Sequence, residues 1–124
     1  MIAPDAPILI ADDVPHMCRL LVSYLQEMGF TNFTLVGNGE EVVAAAKQHP
    51  YALMFLDIEM PLLDGLAALR DVHWMAPDTP VVMISSQGTH QNVVRAVQLG
   101  AKGFLVKPYN KQKVEDVVKH LRGG

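Results

Sequence analysis

Cysteine is nearly absent: Cys18 stands alone in 124 residues. A single thiol excludes an intramolecular disulfide and any metal site built from several cysteines. Long apolar runs are missing too. No stretch approaches the ~20 uninterrupted apolar residues of a membrane span. The opening Met1-Ile-Ala-Pro-Asp-Ala-Pro7 lacks the basic start and apolar centre of a signal peptide. The cytoplasm is therefore the expected compartment, with no membrane partner. Aromatic residues make up only 6% of the chain and do not interleave with the basic ones, which argues against direct contact with nucleic acid. Linkers and low-complexity tracts are absent as well. Residues 1–124 read as one domain, long enough to bury a core. Cys18 falls within a helical apolar pattern and reads as a packing thiol.

What is present begins with an uneven distribution of charge. The formal net charge is −3. Residues 1–86 hold eleven acidic side chains against Arg19, Lys47 and Arg70, a net of −8. Residues 87–124 hold seven basic side chains against Glu115 and Asp116, a net of +5. Two solvated faces would account for this. So would a basic docking surface built from the last third of the chain, around Arg95, Lys102, Lys111 and Lys119.

Short apolar runs alternate with helical periodicity along the whole chain. Strands are expected at Pro7–Ala11, Phe33–Val36, Ala52–Leu56, Pro80–Ser85 and Gly103–Val106. The first helix starts near Pro15, carries Met17, Leu20, Leu21, Tyr24, Leu25 and Met28 on one stripe, and stops at Gly29. The next runs from Glu40 to Gln48 and is ended by His49-Pro50. Others follow over Leu66–Trp74 and His90–Leu99, and Asn110 caps a last one reaching Leu121. Five βα units with strands this apolar imply a parallel sheet covered by helices on both faces, an α/β fold. Arg122-Gly-Gly124 fits either a natural end or the beginning of a linker.

In such a sheet the carboxyl ends of the strands converge on one crevice, where ligands bind. Asp12-Asp13 ends the first apolar run, Asp57 the third, and Lys107-Pro108 the fifth. Three carboxylates and one ammonium would meet there. Crowded carboxylates resist ionising unless a cation neutralises them. A hard divalent ion such as Mg²⁺, which takes carboxylate, phosphate and water oxygens, suits the set. The expected chemistry is phosphoryl transfer with Asp57 as acceptor. Taken singly, Asp57 is an ordinary turn former, Ser85 a cap, Phe104 a core residue and Lys107 a surface charge. Those separate readings leave unexplained why all four fall at one end of the sheet.

In this register the chain resembles the receiver domain of two-component response regulators, nearest to the single-domain chemotaxis type. The resemblance runs from about Pro7 to Leu121. It rests on Asp12-Asp13, Asp57, Met60-Pro61, Asp64-Gly65, Ser85, Phe104 and Lys107-Pro108. It implies a flavodoxin-like sheet of order 2-1-3-4-5, an order taken from the family and not from periodicity. It also implies that Asp57 accepts a phosphoryl group from a histidine kinase. Asp13, Asp57 and the backbone carbonyl of Glu59 would hold Mg²⁺, with Asp12 acting through bound water. Lys107 and Ser85 would each contact a phosphoryl oxygen. Phe104 would turn inward on activation, and the fourth helix, fifth strand and fifth helix would present the output face. Glu59 and Gln87 occupy positions that in the family bear on phosphoryl lifetime. The expected partners are a kinase and either a downstream target or a phosphotransfer protein.

Two other classes compete. Asp57-Ile-Glu59 loosely resembles the D-x-D opening of haloacid-dehalogenase-like phosphatases, although the second acid is Glu and no acidic pair follows Lys107. An interaction module that keeps the fold and is never phosphorylated is the third reading. Gly37-Asn-Gly39 lacks the third glycine of a nucleotide loop, since Val42 stands there, and reads as a turn. His16, His49, His73, His90 and His120 show no metal-ligand spacing.

Overall fold

A computed structural model describes residues 2–123, and the side chains of residues 2–121. Five strands and five helices alternate: β1 Ile8–Ala11, α1 Pro15–Glu27, β2 Phe33–Val36, α2 Gly39–Gln48, β3 Leu53–Asp57, α3 Gly65–Met75, β4 Val81–Ser85, α4 His90–Gln98, β5 Gly103–Val106 and α5 Lys111–Gly123. All neighbouring strands pair in parallel, in the order β2-β1-β3-β4-β5. The expected fold is the one observed.

Element bounds differ from the sequence reading by one or two residues, for local reasons. β1 and β4 begin after Pro7 and Pro80, which have no N–H to give to a ladder. β3 runs on to Asp57, which is still in register with Ile84 of β4. α3 starts at Gly65 because Asp64 caps it, its carboxylate accepting from the Ala67 N–H at 2.9 Å. α4 ends at Gln98, with Leu99 in the cap and Gly100 at φ 107°. Gly29, at φ 101°, ends α1 in the same left-handed way. Asn110 caps α5 as expected, accepting from the Lys113 N–H at 2.9 Å.

Strand alternation divides the core in two. Leu9, Ala11, Met54, Leu56, Val81 and Met83 pack with Val42, Ala68, Leu69, Val72 and Ala96 beneath α2, α3 and α4. Ile8, Ile10, Leu53, Phe55, Val82, Ile84 and Leu105 pack with Cys18, Leu21, Leu25, Val114 and Val118 beneath α1 and α5. Cys18 is buried, as its helical position predicts.

Two glycines seat helices directly on the loop after β3. A Cβ on Gly65 would lie 2.0 Å from the carbonyl oxygen of Asp57. A Cβ on Gly39 would lie 2.0 Å from that of Leu63. No other residue type allows so close an approach of α3 and α2 to this backbone.

Candidate functional site

Asp57 closes β3, while Asp12 and Lys107 directly follow β1 and β5. Asp12 and Asp57 are 4% and 1% exposed, so their charges depend on partners. Lys107 supplies one. Its Nζ lies 2.6 Å from Asp57 Oδ2 and 3.0 Å from Asp12 Oδ2. Asp57 Oδ1 accepts from the Glu59 N–H at 3.0 Å, and Asp12 Oδ1 from the Val14 N–H at 2.9 Å. The Cys18 thiol donates to the carbonyl of Asp12 at 3.5 Å. Asp13 is exposed at the rim. One carboxylate oxygen from each of Asp12, Asp13 and Asp57 falls within 4.8 Å of the others.

These residues suit a divalent cation. Three carboxylates face one ammonium, which leaves an excess of two negative charges. Asp12 Oδ2 is buried, and among the described residues it is the only such side-chain atom without a hydrogen bond. Its contact with Lys107 has the distance of an ion pair but not the direction of a hydrogen bond. It therefore has a lone pair to offer to a metal-bound water.

Burial, the largest cause, pushes the Asp57 carboxyl up to about 6. The charge of Asp12 adds to the rise, while Lys107 and the Glu59 N–H oppose it. Burial works to lower the Lys107 ammonium, but its hydrogen bond to Asp57 and the charges of Asp57 and Asp12 outweigh it and hold it above its ordinary value. The ammonium is firmly protonated.

Ser85 is fully buried at the end of β4, and its hydroxyl is engaged by Glu59 and not by Asp57. Its hydroxyl donates to Glu59 Oε2 at 2.8 Å. Glu59 Oε1 accepts from the N–H and the hydroxyl of Ser86, each at 3.2 Å. Gln87 donates its N–H to Ser85 Oγ at 2.9 Å, and its carbonyl accepts from Asn92 Nδ2 at 2.8 Å. Phe104 is half-buried against the α2–α4 side of the core.

The four basic residues expected on a docking surface have different surroundings. Arg95 lines a hollow between α3 and α4 with Asp64 and Arg70. Lys102 precedes β5 at the opposite end of the sheet, beside Asp78 and His120. Lys111 Nζ lies 3.6 Å from Glu115 and 3.8 Å from Glu27 of α1. Lys119 is exposed on α5.

Sequence reasoning missed two features. Ser86 had no signal of its own. Asn38 and Glu41 did: the N-x-x-E spacing is a variant of the capping-box signature of a helix start. Asn38 accepts from the Glu41 N–H at 2.9 Å, and Glu41 Oε1 accepts from the Gly37 N–H at 3.0 Å. Gly37-Asn-Gly39 is thus the start of α2 as well as a turn.

A parallel sheet of this order, with an aspartate cluster and a lysine at its carboxyl end, defines a receiver-type signalling domain. Residues 8–119 match the response regulator receiver domain family, and the chain belongs to it. The chemotaxis protein CheY of Bacillus subtilis is 33% identical over 111 residues, 90% of this chain and 92% of that protein. Protein CcdB of the same organism is 31% identical over 94% of this chain and 97% of its own length. The CheY of Borrelia burgdorferi, solved in a complex with CheX, BeF₃ and Mg²⁺, superposes with a TM-score of 0.90 at 32% identity. That match covers 94% of this chain and 89% of the other. Receiver domains of this kind are signalling switches and not conventional enzymes.

The raised Asp57 carboxyl sets a pH dependence in metal-free buffer. It binds its proton more readily folded than unfolded, so stability falls as pH rises from about 4 through about 6. Asp57→Asn lacks this loss. Near pH 7 it should be more stable than the wild type by on the order of 1–3 kcal/mol, the gap closing toward pH 4. Urea unfolding at the two pH values checks this. A gap that does not narrow in acid contradicts the assignment.

Proposed function

We propose that Asp57 accepts a phosphoryl group from the phosphohistidine of a histidine kinase, and that the resulting acyl phosphate switches the binding surface for a partner. The observation that carries this reading is the Lys107 ammonium 2.6 Å from Asp57 Oδ2, amid carboxylates it cannot neutralise alone. Asp57 is the nucleophile. Its carboxylate attacks phosphorus, the phosphorus–nitrogen bond breaks, and the bonding electron pair returns to the imidazole. The Glu59 N–H on Oδ1 and Lys107 on Oδ2 orient the attacking group. Asp13, Asp57 and the Glu59 carbonyl would hold Mg²⁺, with Asp12 acting through water. The ion supplies neutralisation of charge on the phosphoryl oxygens, as in phosphoryl transfer generally. Lys107 and Ser85 then serve two of those oxygens. The expected setting is the cytoplasm, with a histidine kinase as donor and a target or phosphotransfer protein as receiver.

The hydrolase reading loses support from Glu59. Its carboxylate is tied to Ser85 and Ser86, where the haloacid-dehalogenase scheme needs a free acid beside the nucleophile.

Acetyl phosphate or beryllofluoride with Mg²⁺ should modify the wild type and leave Asp57→Asn untouched. Lys107→Ala should accept the group in part and transmit the change poorly. Intact-protein and peptide mass spectrometry reads the outcome. An acid-tolerant, hydroxylamine-labile adduct on Asp57 is expected. An adduct on another residue contradicts the reading.

Output is proposed at α4, β5 and α5. Val94, Val97 and Val106 are 38%, 62% and 47% exposed there, and the half-buried Phe104 lies among them in sequence. Arg95 and Lys119 remain candidate contacts, while Lys102 and Lys111 are turned to other neighbours. Beryllofluoride should shift amide resonances from Ser85 through α4 and across Phe104 and Val106. Shifts confined to residues 11–14 and 57–60 would misplace the output face.

A further inference from the structure

We propose that the Glu59 carboxylate is an internal stand-in for the phosphoryl group: it holds Ser85 and Ser86 in the resting position and must release them before Ser85 can serve a phosphoryl group on Asp57. The inference rests on the function proposed above and names a positioning residue within it.

Glu59 sits in a loop whose start is fixed. Its own N–H is bound to Asp57 Oδ1, and Gly65 is bound back to the carbonyl of Ile58 at 2.9 Å. From that anchor the side chain crosses to the loop after β4 and takes three donors there. Two hydroxyls and a backbone N–H converging on one oxyanion are what a phosphoryl group would also recruit. A hydroxyl has one proton to donate. While Ser85 gives it to Glu59, no phosphoryl oxygen has it. The competing acceptor within the loop, the Gln87 carbonyl, is 3.4 Å away and weak by comparison.

The hold extends to the output side. Gln87 is bound to Ser85 Oγ on one side and to Asn92 of α4 on the other. Thr89 caps α4, accepting from the Asn92 N–H at 3.2 Å. Gly88 lies so close to Val106 that a Cβ on it would sit 2.4 Å from Val106 Cγ2. Releasing Ser85 and Ser86 therefore loosens a segment that touches both α4 and β5. A phosphoryl group on Asp57, two residues away in the chain, also places like charge near Glu59 and favours the release.

Charge and reach are separated by substitution. Glu59→Asp keeps the charge and loses one methylene of reach, and Ser86→Ala removes one donor and alters no charge. Beryllofluoride titrations with saturating Mg²⁺ give the affinity, and amide hydrogen exchange of Ser86 without ligand gives the resting hold. Glu59→Asp should bind beryllofluoride about tenfold more tightly than the wild type, a difference worth ~1.4 kcal/mol. Ser86→Ala should shift affinity in the same direction by a smaller factor. The Ser86 amide should exchange faster in Glu59→Asp. If Glu59→Asp and Ser86→Ala bind like the wild type while Glu59→Gln binds more tightly, Glu59 acts by charge alone and the proposal fails. Unchanged Ser86 exchange in Glu59→Asp also overturns it. A wild type that does not bind beryllofluoride at all refutes the phosphoacceptor reading itself, and this inference falls with it.

Discussion

Two buried carboxylates, Asp12 and Asp57, share one ammonium at the carboxyl end of the sheet. Burying either charge without a partner would cost several kcal/mol. The topology explains why that partner is a lysine. In the order β2-β1-β3-β4-β5, Asp12 and Asp57 come from adjacent strands, but Lys107 follows β5, two strands from β3. Strands lie ~4.8 Å apart, so the cation must reach across nearly 10 Å. The lysine stem covers most of that distance, passing the end of β4, and the Asp57 side chain meets it at 2.6 Å. Asp13 then adds a third carboxylate that no ammonium answers. The pocket is stable enough to fold and still short of positive charge, which is the property a metal and a phosphoryl acceptor require.

Much of this was legible because strands buried on both faces read as apolar runs. Ile8 to Ala11 and Leu53 to Leu56 announce themselves, and the charged residues that follow them mark the crevice. The Asp64-Gly65 pair was recognisable only as a family motif. Its physical reason, the Gly65 backbone lying against the carbonyl of Asp57, needs three dimensions. The same holds for Glu59 with Ser85 and Ser86. Those residues are 26 and 27 positions apart, and their meeting depends on side-chain direction, which no local pattern encodes. In the basic third of the chain, position along the sequence says little about surroundings. A sum along the sequence suggests one patch, yet Arg95, Lys102 and Lys111 face three different neighbours.

The resting arrangement has a common logic. Each group proposed to serve the phosphoryl oxygens is already engaged by a carboxylate: Lys107 by Asp57 and Asp12, Ser85 by Glu59. Under the function proposed above, activation would exchange one oxyanion for another and not create contacts from nothing. The free-energy difference between the two arrangements can be small. A ligand that favours one of them shifts the population by its differential affinity alone. Such a balance suits a reversible switch.

Thermal unfolding with and without Mg²⁺ reads out the excess of negative charge at Asp12, Asp13 and Asp57. A cation that binds only the folded pocket stabilises it by RT ln(1 + [L]/Kd), or ~1.4 kcal/mol at tenfold excess over Kd. The wild-type Tm should rise by several degrees on adding millimolar Mg²⁺, and Asp13→Ala should abolish most of the rise. A wild-type Tm that is the same with and without Mg²⁺ would contradict it.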